Sequence, residues 1–362
     1  MELEQRVDEL AAAIAAIDEG SAAEARERHD SLVKPRGSLG RLEDLGVRLA
    51  AIARACPPLV PEQAAVVVCA GDHGVLAQGV SPWPQEVTAA MVRTFCAGKA
   101  AINVLADTIG ARVSVLDVGV ASDLPPHPRL RSAKVRPGTR DLSLEPALTR
   151  EEAARAILAG AGVVDELCRA GVDLVIGGDM GIGNTTPSAC LIGAFTGLPA
   201  SEVTGRGTGI DDATYEHKIS VVEAALHLHR PDARDPLGAL ASVGGLEHAA
   251  LCGLFLGAAA RRLPVILDGV AADAGALAAA AFAPDVRGYL IAGHRSVEPG
   301  ASAALAELEL EPVLDLDLRL GEGTGALLAL PLVRAAAAVL RDMATLADLA
   351  VGEPADTLAA SA

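Results

Sequence analysis

VDLVIGGDMGIGNTTP, residues 172–187, reads as one strand–loop–helix unit. The apolar run at 172–176 is short and β-branched, as a buried parallel strand is, and it stops at Gly177 and Gly178. Asp179, Gly181, Gly183, Asn184, Thr185 and Thr186 then lead into a helical segment. Glycines let the backbone approach a ligand, so N–H groups and the helix N-terminus can converge on an anion while Asn184, Thr185 and Thr186 add donors. The same residues also suit a tight strand-to-helix turn with capping threonines.

Working outward, the pattern recurs. Strand-like runs at 64–70, 112–118, 264–267 and 288–291 each end in a small or polar loop: Gly71-Asp72-His73-Gly74, Gly119, Asp268-Gly269 and Gly293-His294. Helical segments lie between them, the clearest at 151–170, where Thr149-Arg150-Glu151-Glu152 fits a capping box. Alternation of this kind predicts an α/β fold: a Rossmann-like, mostly parallel sheet flanked by helices, with ligands beyond the carboxyl ends of the strands. Leu3, Val7, Leu10 and Ile14 recur at helical spacing, a second amphipathic stretch runs over 39–55, and 324–349 is again helical. The expected organisation is therefore a large α/β domain over 62–312, a smaller helical domain from 1–61 plus 313–350, and a frayed tail at 351–362.

Composition narrows the function. The 362-residue chain is 51% hydrophobic but only 2% aromatic, so its core is Ala, Val, Leu and Ile packed over a wide area. A net charge of −17 without basic clusters argues against nucleic acid or an anionic membrane as partner. The six cysteines are scattered with no CxxC pair and read as buried hydrophobes in a reducing compartment. Residues 1–10 are acidic and helical rather than leader-like, and the apolar runs are interrupted short of a membrane span, so a cytoplasmic enzyme is expected. Any phosphate site must be local.

Two known phosphate fingerprints are absent: the 178–187 loop lacks the Gly-Lys-Ser/Thr ending of a P-loop and the GxGxxG spacing with its ribose-binding acid. A second loop, Gly205-Arg206-Gly207-Thr208-Gly209, precedes Asp211, Asp212 and a helix carrying Lys218, one of only four lysines. The order of loop and acids is the reverse of that in the diphosphate motif of common phosphoribosyltransferases, so the acids read as helix caps, whereas Lys218 suits a carboxylate or phosphate. In RLGEGTG, 319–325, Glu322 stands between glycines at a helix mouth, where a general base or an ordinary N-terminal acid would sit. Asp72, His73 and His294 admit an acid–base or metal reading or a satisfied strand-end turn. The other histidines show no metal spacing. GVSPWPQEVT, 79–88, sets the one tryptophan between prolines as a stiff apolar wall, with Ser81 and Gln85 as polar handles, or forms a surface turn.

KPRGSLGRLEDL (34–45), AGDHGV (70–75), VSPWPQEVT (80–88), GDMGIGNTT (178–186), LDG (267–269) and RLGEGTGA (319–326) occur in an order that resembles the nicotinate-nucleotide:5,6-dimethylbenzimidazole phosphoribosyltransferase family of cobalamin lower-ligand biosynthesis. The resemblance implies a homodimer that transfers phosphoribose from nicotinate mononucleotide to dimethylbenzimidazole, with no metal or cofactor. It makes Glu322 the base that takes the benzimidazole proton. Where the family is expected to place Glu after the strand, this chain has Asp179, a second-carboxylate candidate. Gly181, Gly183, the Gly205–Gly209 loop with Gly205 and Gly207, and Ser296 would surround the phosphate, Lys218 would line the site, and Asn184, Thr185, Thr186 and Leu320 would bind substrate. Ser81, Trp83 and Gln85 would border the acceptor. The alternative is a non-catalytic nucleotide-binding or sensor protein on the same scaffold.

Overall fold

The computed structural model describes residues 2–349. Two compact units arise: Met1–Ala16 with Glu62–Leu330, and Ile17–Pro61 with the chain from Pro331 onward. These divisions differ from the boundaries read from sequence, since the first helix and residues 313–330 fall with the larger unit. The helix Glu2–Ala12 packs on helices Arg150–Arg169 and Leu246–Ala260, buries Val7, and pairs Glu4 with Arg150 at 3.2 Å. The expected tail at 351–362 lies outside the described residues.

The larger unit holds one six-stranded sheet, wholly parallel. Its strands are β1 (Ala64–Gly71), β2 (Ala111–Gly119), β3 (Leu130–Ser132), β4 (Leu174–Met180), β5 (Val265–Leu267) and β6 (Leu290–Ala292). Their spatial order is β3-β2-β1-β4-β5-β6. This is the doubly wound α/β order expected for a Rossmann-like sheet, and its direction of progression reverses between β1 and β4. Loops leaving those two strands diverge, and a crevice opens between them. Five strands match runs seen in the sequence. The sixth, β3, is a three-residue edge strand whose Leu-Arg-Ser carries no apolar periodicity.

Every residue of β1 is buried, as its unbroken AAVVVCAG requires. Helices on the sheet approach it and each other closely because the core is small-residue rich. Gly160 on one helix and Gly253 on another mark the tightest crossing: an added Cβ would stand 1.9 Å from the Ala250 carbonyl oxygen and 1.8 Å from that of Ile157, respectively. Two stretches, Glu86–Ile109 and Thr324–Asp342, are long and apolar enough by composition to cross a bilayer, but the first is divided between the helices Glu86–Cys96 and Ala101–Ile109, and about half of each is buried in the protein as core helices are.

The smaller unit has its own core, in which Ala25, Ala50 and Leu340 meet with Val47 and Cys56. Gly46 lets the chain pass 3.1 Å from the Ala336 carbonyl, and Lys34 pairs with Glu43 at 2.8 Å. Substituting Gly160→Ala or Gly253→Ala inserts a methyl group against backbone that cannot rotate aside. Each is expected to lower stability by about 1–3 kcal/mol, read as a reduced urea midpoint.

Candidate active site

A cavity of about 440 Å³ opens beyond the carboxyl ends of β1 and β4 and is lined from loops after four of the six strands. Twelve of the expected residues face it: Ser81, Trp83, Asp179, Gly181, Gly183, Asn184, Thr185, Gly207, Lys218, Ser296, Leu320 and Glu322. Gln85, Thr186 and Gly205 are not on its surface. Gln85 precedes the helix Glu86–Cys96 and its carbonyl accepts the Thr88 N–H at 3.0 Å. Thr186 is turned into the core, and Gly205 lies behind Glu298.

One side of the site gathers carboxylates. Glu322 sits in a turn where Gly321, Glu322 and Gly323 all take positive φ, at 85°, 64° and 90°. The left-handed conformation costs a non-glycine residue on the order of 1 kcal/mol, so the turn persists only because its surroundings impose it. Asp268, at the end of β5, imposes it: Oδ2 accepts the Gly323 N–H at 3.1 Å, and Oδ1 accepts those of Gly325 and Ala326 at 2.8 and 3.0 Å. Gly178 leaves space for it, because a Cβ there would fall 2.4 Å from the Glu322 carbonyl oxygen.

The Glu322 side chain is 5% exposed, and its Oε2 accepts the Ile102 N–H at 3.2 Å in the first turn of helix Ala101–Ile109. Burial raises its pKa, opposed by the Ile102 hydrogen bond and aided by the charge of Asp268. Asp179 is raised further, to about 7, first by burial and then by Asp268 and Glu247. The Asn184 amide works against that rise by donating to Asp179 Oδ2 at 2.5 Å. A carboxylate poised near neutrality is suited to proton transfer.

The other side gathers donors. Lys218 is 1% exposed, and its Nζ donates to Thr185 Oγ1 at 2.7 Å and to the Gly205 carbonyl at 3.0 Å. Burial lowers its pKa to about 8, against the pull of Glu298. Gly183, Asn184 and Thr185 line the cavity at the start of the helix Thr185–Thr196, whose N-terminal end favours an anion, although the Thr186 N–H is taken by the Gly183 carbonyl at 3.1 Å and Pro187 has none. Arg206 and Arg319 complete this side, the latter donating to the Gly207 carbonyl at 2.9 Å. Asp211 caps the following helix by accepting the Thr214 N–H at 2.8 Å, as its sequence position implies. Trp83 and Leu320, 52% and 59% exposed, stand with Val80, Val87 and Met91 as an apolar wall. Thr88 joins that wall to the glycine loop by accepting the Ile182 N–H at 3.1 Å.

Sequence reasoning leaves out Glu298, Val270 and Ala271, which lie in no quoted motif and are brought in by the fold; Arg206, Gly269 and Arg319 lie within the quoted motifs but receive no individual role there. His294 lines the cavity and faces Asp268 at 3.5 Å. His73 is beneath it, buried against Glu247 at 2.9 Å, and Asp72 braces the strand-end turn by accepting the Ala121 N–H at 2.7 Å. Glu247 also meets His248 Nδ1 at 2.8 Å, and the two imidazoles hold its carboxyl far below the usual range despite burial.

A pH window follows for this buried cluster. Glu247, with a depressed pKa, contributes fully above its ordinary 4.5 and loses that contribution as pH falls through the folded value. His73 is raised by Glu247, against burial, so its contribution is complete below 6.5 and is lost as pH rises through the raised value. Glu247→Gln is expected to cost about 3–5 kcal/mol between those limits, because it strands a buried imidazolium. Urea titration at about pH 5.5 reads the loss, and a midpoint equal to the parent's would contradict it.

Comparison with known proteins places this geometry. A phosphoribosyltransferase family model matches residues 14–351. The chain is 57% identical over 353 residues to the nicotinate-nucleotide–dimethylbenzimidazole phosphoribosyltransferase of Salinispora tropica, covering 94% of this chain and 97% of that one. It is 54% identical to the enzyme of the same name from Chloroflexus aurantiacus, with the same coverage. The crystal structure of the Thermus thermophilus enzyme of that name superposes with a TM-score of 0.88 at 47% identity, spanning 93% of this chain and 100% of that one.

Proposed function

The chain belongs to the nicotinate-nucleotide–dimethylbenzimidazole phosphoribosyltransferase family, and from that premise we infer that it is a pentosyltransferase moving phosphoribose from nicotinate mononucleotide to 5,6-dimethylbenzimidazole. The products are α-ribazole 5′-phosphate and nicotinate, in assembly of the cobalamin nucleotide loop. The observation that carries the reading is a single cavity with a buried glutamate on one side and a buried lysine beside two glycine-rich loops on the other. Identity to named enzymes over nearly the whole chain favours catalysis over a non-catalytic nucleotide-binding or sensor role.

In this reading one benzimidazole nitrogen attacks ribose C1′ while Glu322 takes the proton from the other. The C1′–N bond to nicotinate breaks, its electron pair neutralising the pyridinium nitrogen, and the linkage inverts to α. Asp179 and Glu322 stabilise the oxocarbenium-like charge that builds on the ribose, while the Gly181–Gly183 and Gly205–Gly207 loops, Ser296 and Lys218 hold the phosphate. Asn184 steadies Asp179. Trp83 and Leu320 flank the acceptor with Ser81, and Gln85 and Thr186 support from behind. The reaction as written needs no metal or cofactor. The working form is read as a cytoplasmic homodimer without nucleic-acid or membrane partners, and light scattering at twice the chain mass tests the dimer.

Incubation with both substrates is expected to release nicotinate and form α-ribazole phosphate; a folded sample that makes neither refutes the function. Glu322→Gln should keep the fold and lower kcat by roughly 10²–10⁴. The pH profile is expected to be bell-shaped. Activity falls at low pH as Glu322, raised above its ordinary 4.5, takes up a proton. On the alkaline side nucleotide binding weakens as Lys218 loses its proton near pH 8. A profile flat across both limbs would remove these two residues from their roles.

A further inference from the structure

Glu298 is a buried carboxylate on the donor side of the cavity that no sequence motif singles out. It follows β6 and immediately precedes the helix Pro299–Glu307. Its Oε1 accepts the Gly207 N–H at 2.8 Å. Its Oε2 occupies the space left by the missing side chain of Gly205, where a Cβ would stand 1.9 Å away. On the same loop, the Gly205 carbonyl accepts from Lys218 at 3.0 Å and the Gly207 carbonyl from Arg319 at 2.9 Å. The loop is thus clamped at an amide by an acid and at two carbonyls by cations.

We propose that Glu298 is the positioning residue of the phosphate pocket, fixing the 205–207 loop through Gly207 and supplying the counter-charge of the buried Lys218 ammonium. The proposal rests on the reading that Gly207 and Lys218 hold the nucleotide's phosphate. A carboxylate beside an anion site looks unfavourable until the loop is considered. Without it, Gly207 would lose its acceptor, and an ammonium 1% exposed would lose a carboxylate that favours its charged form. The groups facing Lys218 are Glu298, the Cys190 thiol and Thr185 on helix Thr185–Thr196, and the Gly205 carbonyl. Glu298 and Cys190 raise the lysine against burial, with Glu298 the stronger. Removing the Glu298 charge therefore moves Lys218 below its present value of about 8.

Steady-state kinetics of the full chain with nicotinate mononucleotide and dimethylbenzimidazole test this. Glu298→Ala is expected to raise KM for the nucleotide about tenfold, with kcat and KM for the base within about threefold, because a charge-assisted hydrogen bond in binding rather than in chemistry is lost. Glu298→Gln keeps an acceptor for Gly207 and is expected to restore most of the nucleotide KM at about pH 6. Its alkaline rise in KM should begin at lower pH than the parent's, a shift that a merely structural role would not produce. Nucleotide KM unchanged in folded Glu298→Ala, a loss confined to kcat, or coincident pH curves for Glu298→Gln and parent each overturn the proposal. Lys218→Met separates the two readings: a normal nucleotide KM there removes the lysine's phosphate role, while the Glu298→Ala measurement still decides whether the loop depends on Glu298.

Discussion

The site depends on one buried carboxylate that does not line the cavity. Asp268 spends both oxygens on backbone N–H groups of residues 323, 325 and 326, and so holds a turn of three positive-φ residues that would otherwise relax. With the turn held, Glu322 projects toward the cavity from the mouth of helix Thr324–Asp342 instead of joining that helix. The constraint reaches into the sheet, because the turn occupies space that exists only where β4 carries Gly178. The strain at Glu322 is small beside several buried hydrogen bonds.

Burial is the second device, and it acts oppositely on the two sides of the cavity. A carboxylate taken out of water holds its proton more tightly, and an ammonium holds it less. Glu322 and Asp179 rise while Lys218 falls, so groups whose ordinary values lie far apart are drawn toward neutrality. In a chain of net charge −17, long-range attraction cannot recruit an anionic ligand. The positive potential must be made at short range, from Lys218, two arginines and the N-terminal end of helix Thr185–Thr196.

Legibility in the sequence followed the same division. The strand runs and their glycine-ended loops were readable because a strand buried on both faces must be an unbroken apolar run, as 64–70 and 174–176 are. Glu322 and the 178–186 loop stood out because glycine clustered beside polar residues is unusual in a helix-rich chain. The edge strand β3 did not, since its pairing rests on neighbouring β2 backbone rather than on its own side chains. Glu298 and Ile102 were invisible for a related reason: each acts on a residue about a hundred or more positions away, and a lone Glu or a main-chain N–H has no local pattern. Residues 1–16 looked like part of a terminal helical domain because amphipathic period reports that a helix packs, and never against which partner.

The glycines join these observations. Gly178, Gly181 and Gly205 differ from turn glycines in that their absent side chains are replaced by specific groups: the Glu322 carbonyl, the His73 ring with the Gly71 carbonyl, and the Glu298 carboxylate. Each such substitution brings a polar group to within contact of backbone without opening a channel for water. That is how the cavity can place four ionisable side chains, Asp179, Lys218, Glu298 and Glu322, around one small volume while each stays under a tenth exposed. Low exposure strengthens every charge interaction inside, because little solvent screens it. The glycine-rich loops therefore contribute more than N–H donors: they let charged groups approach the backbone closely enough to be fixed and desolvated together, the condition that electrostatic stabilisation of a ribosyl transition state requires.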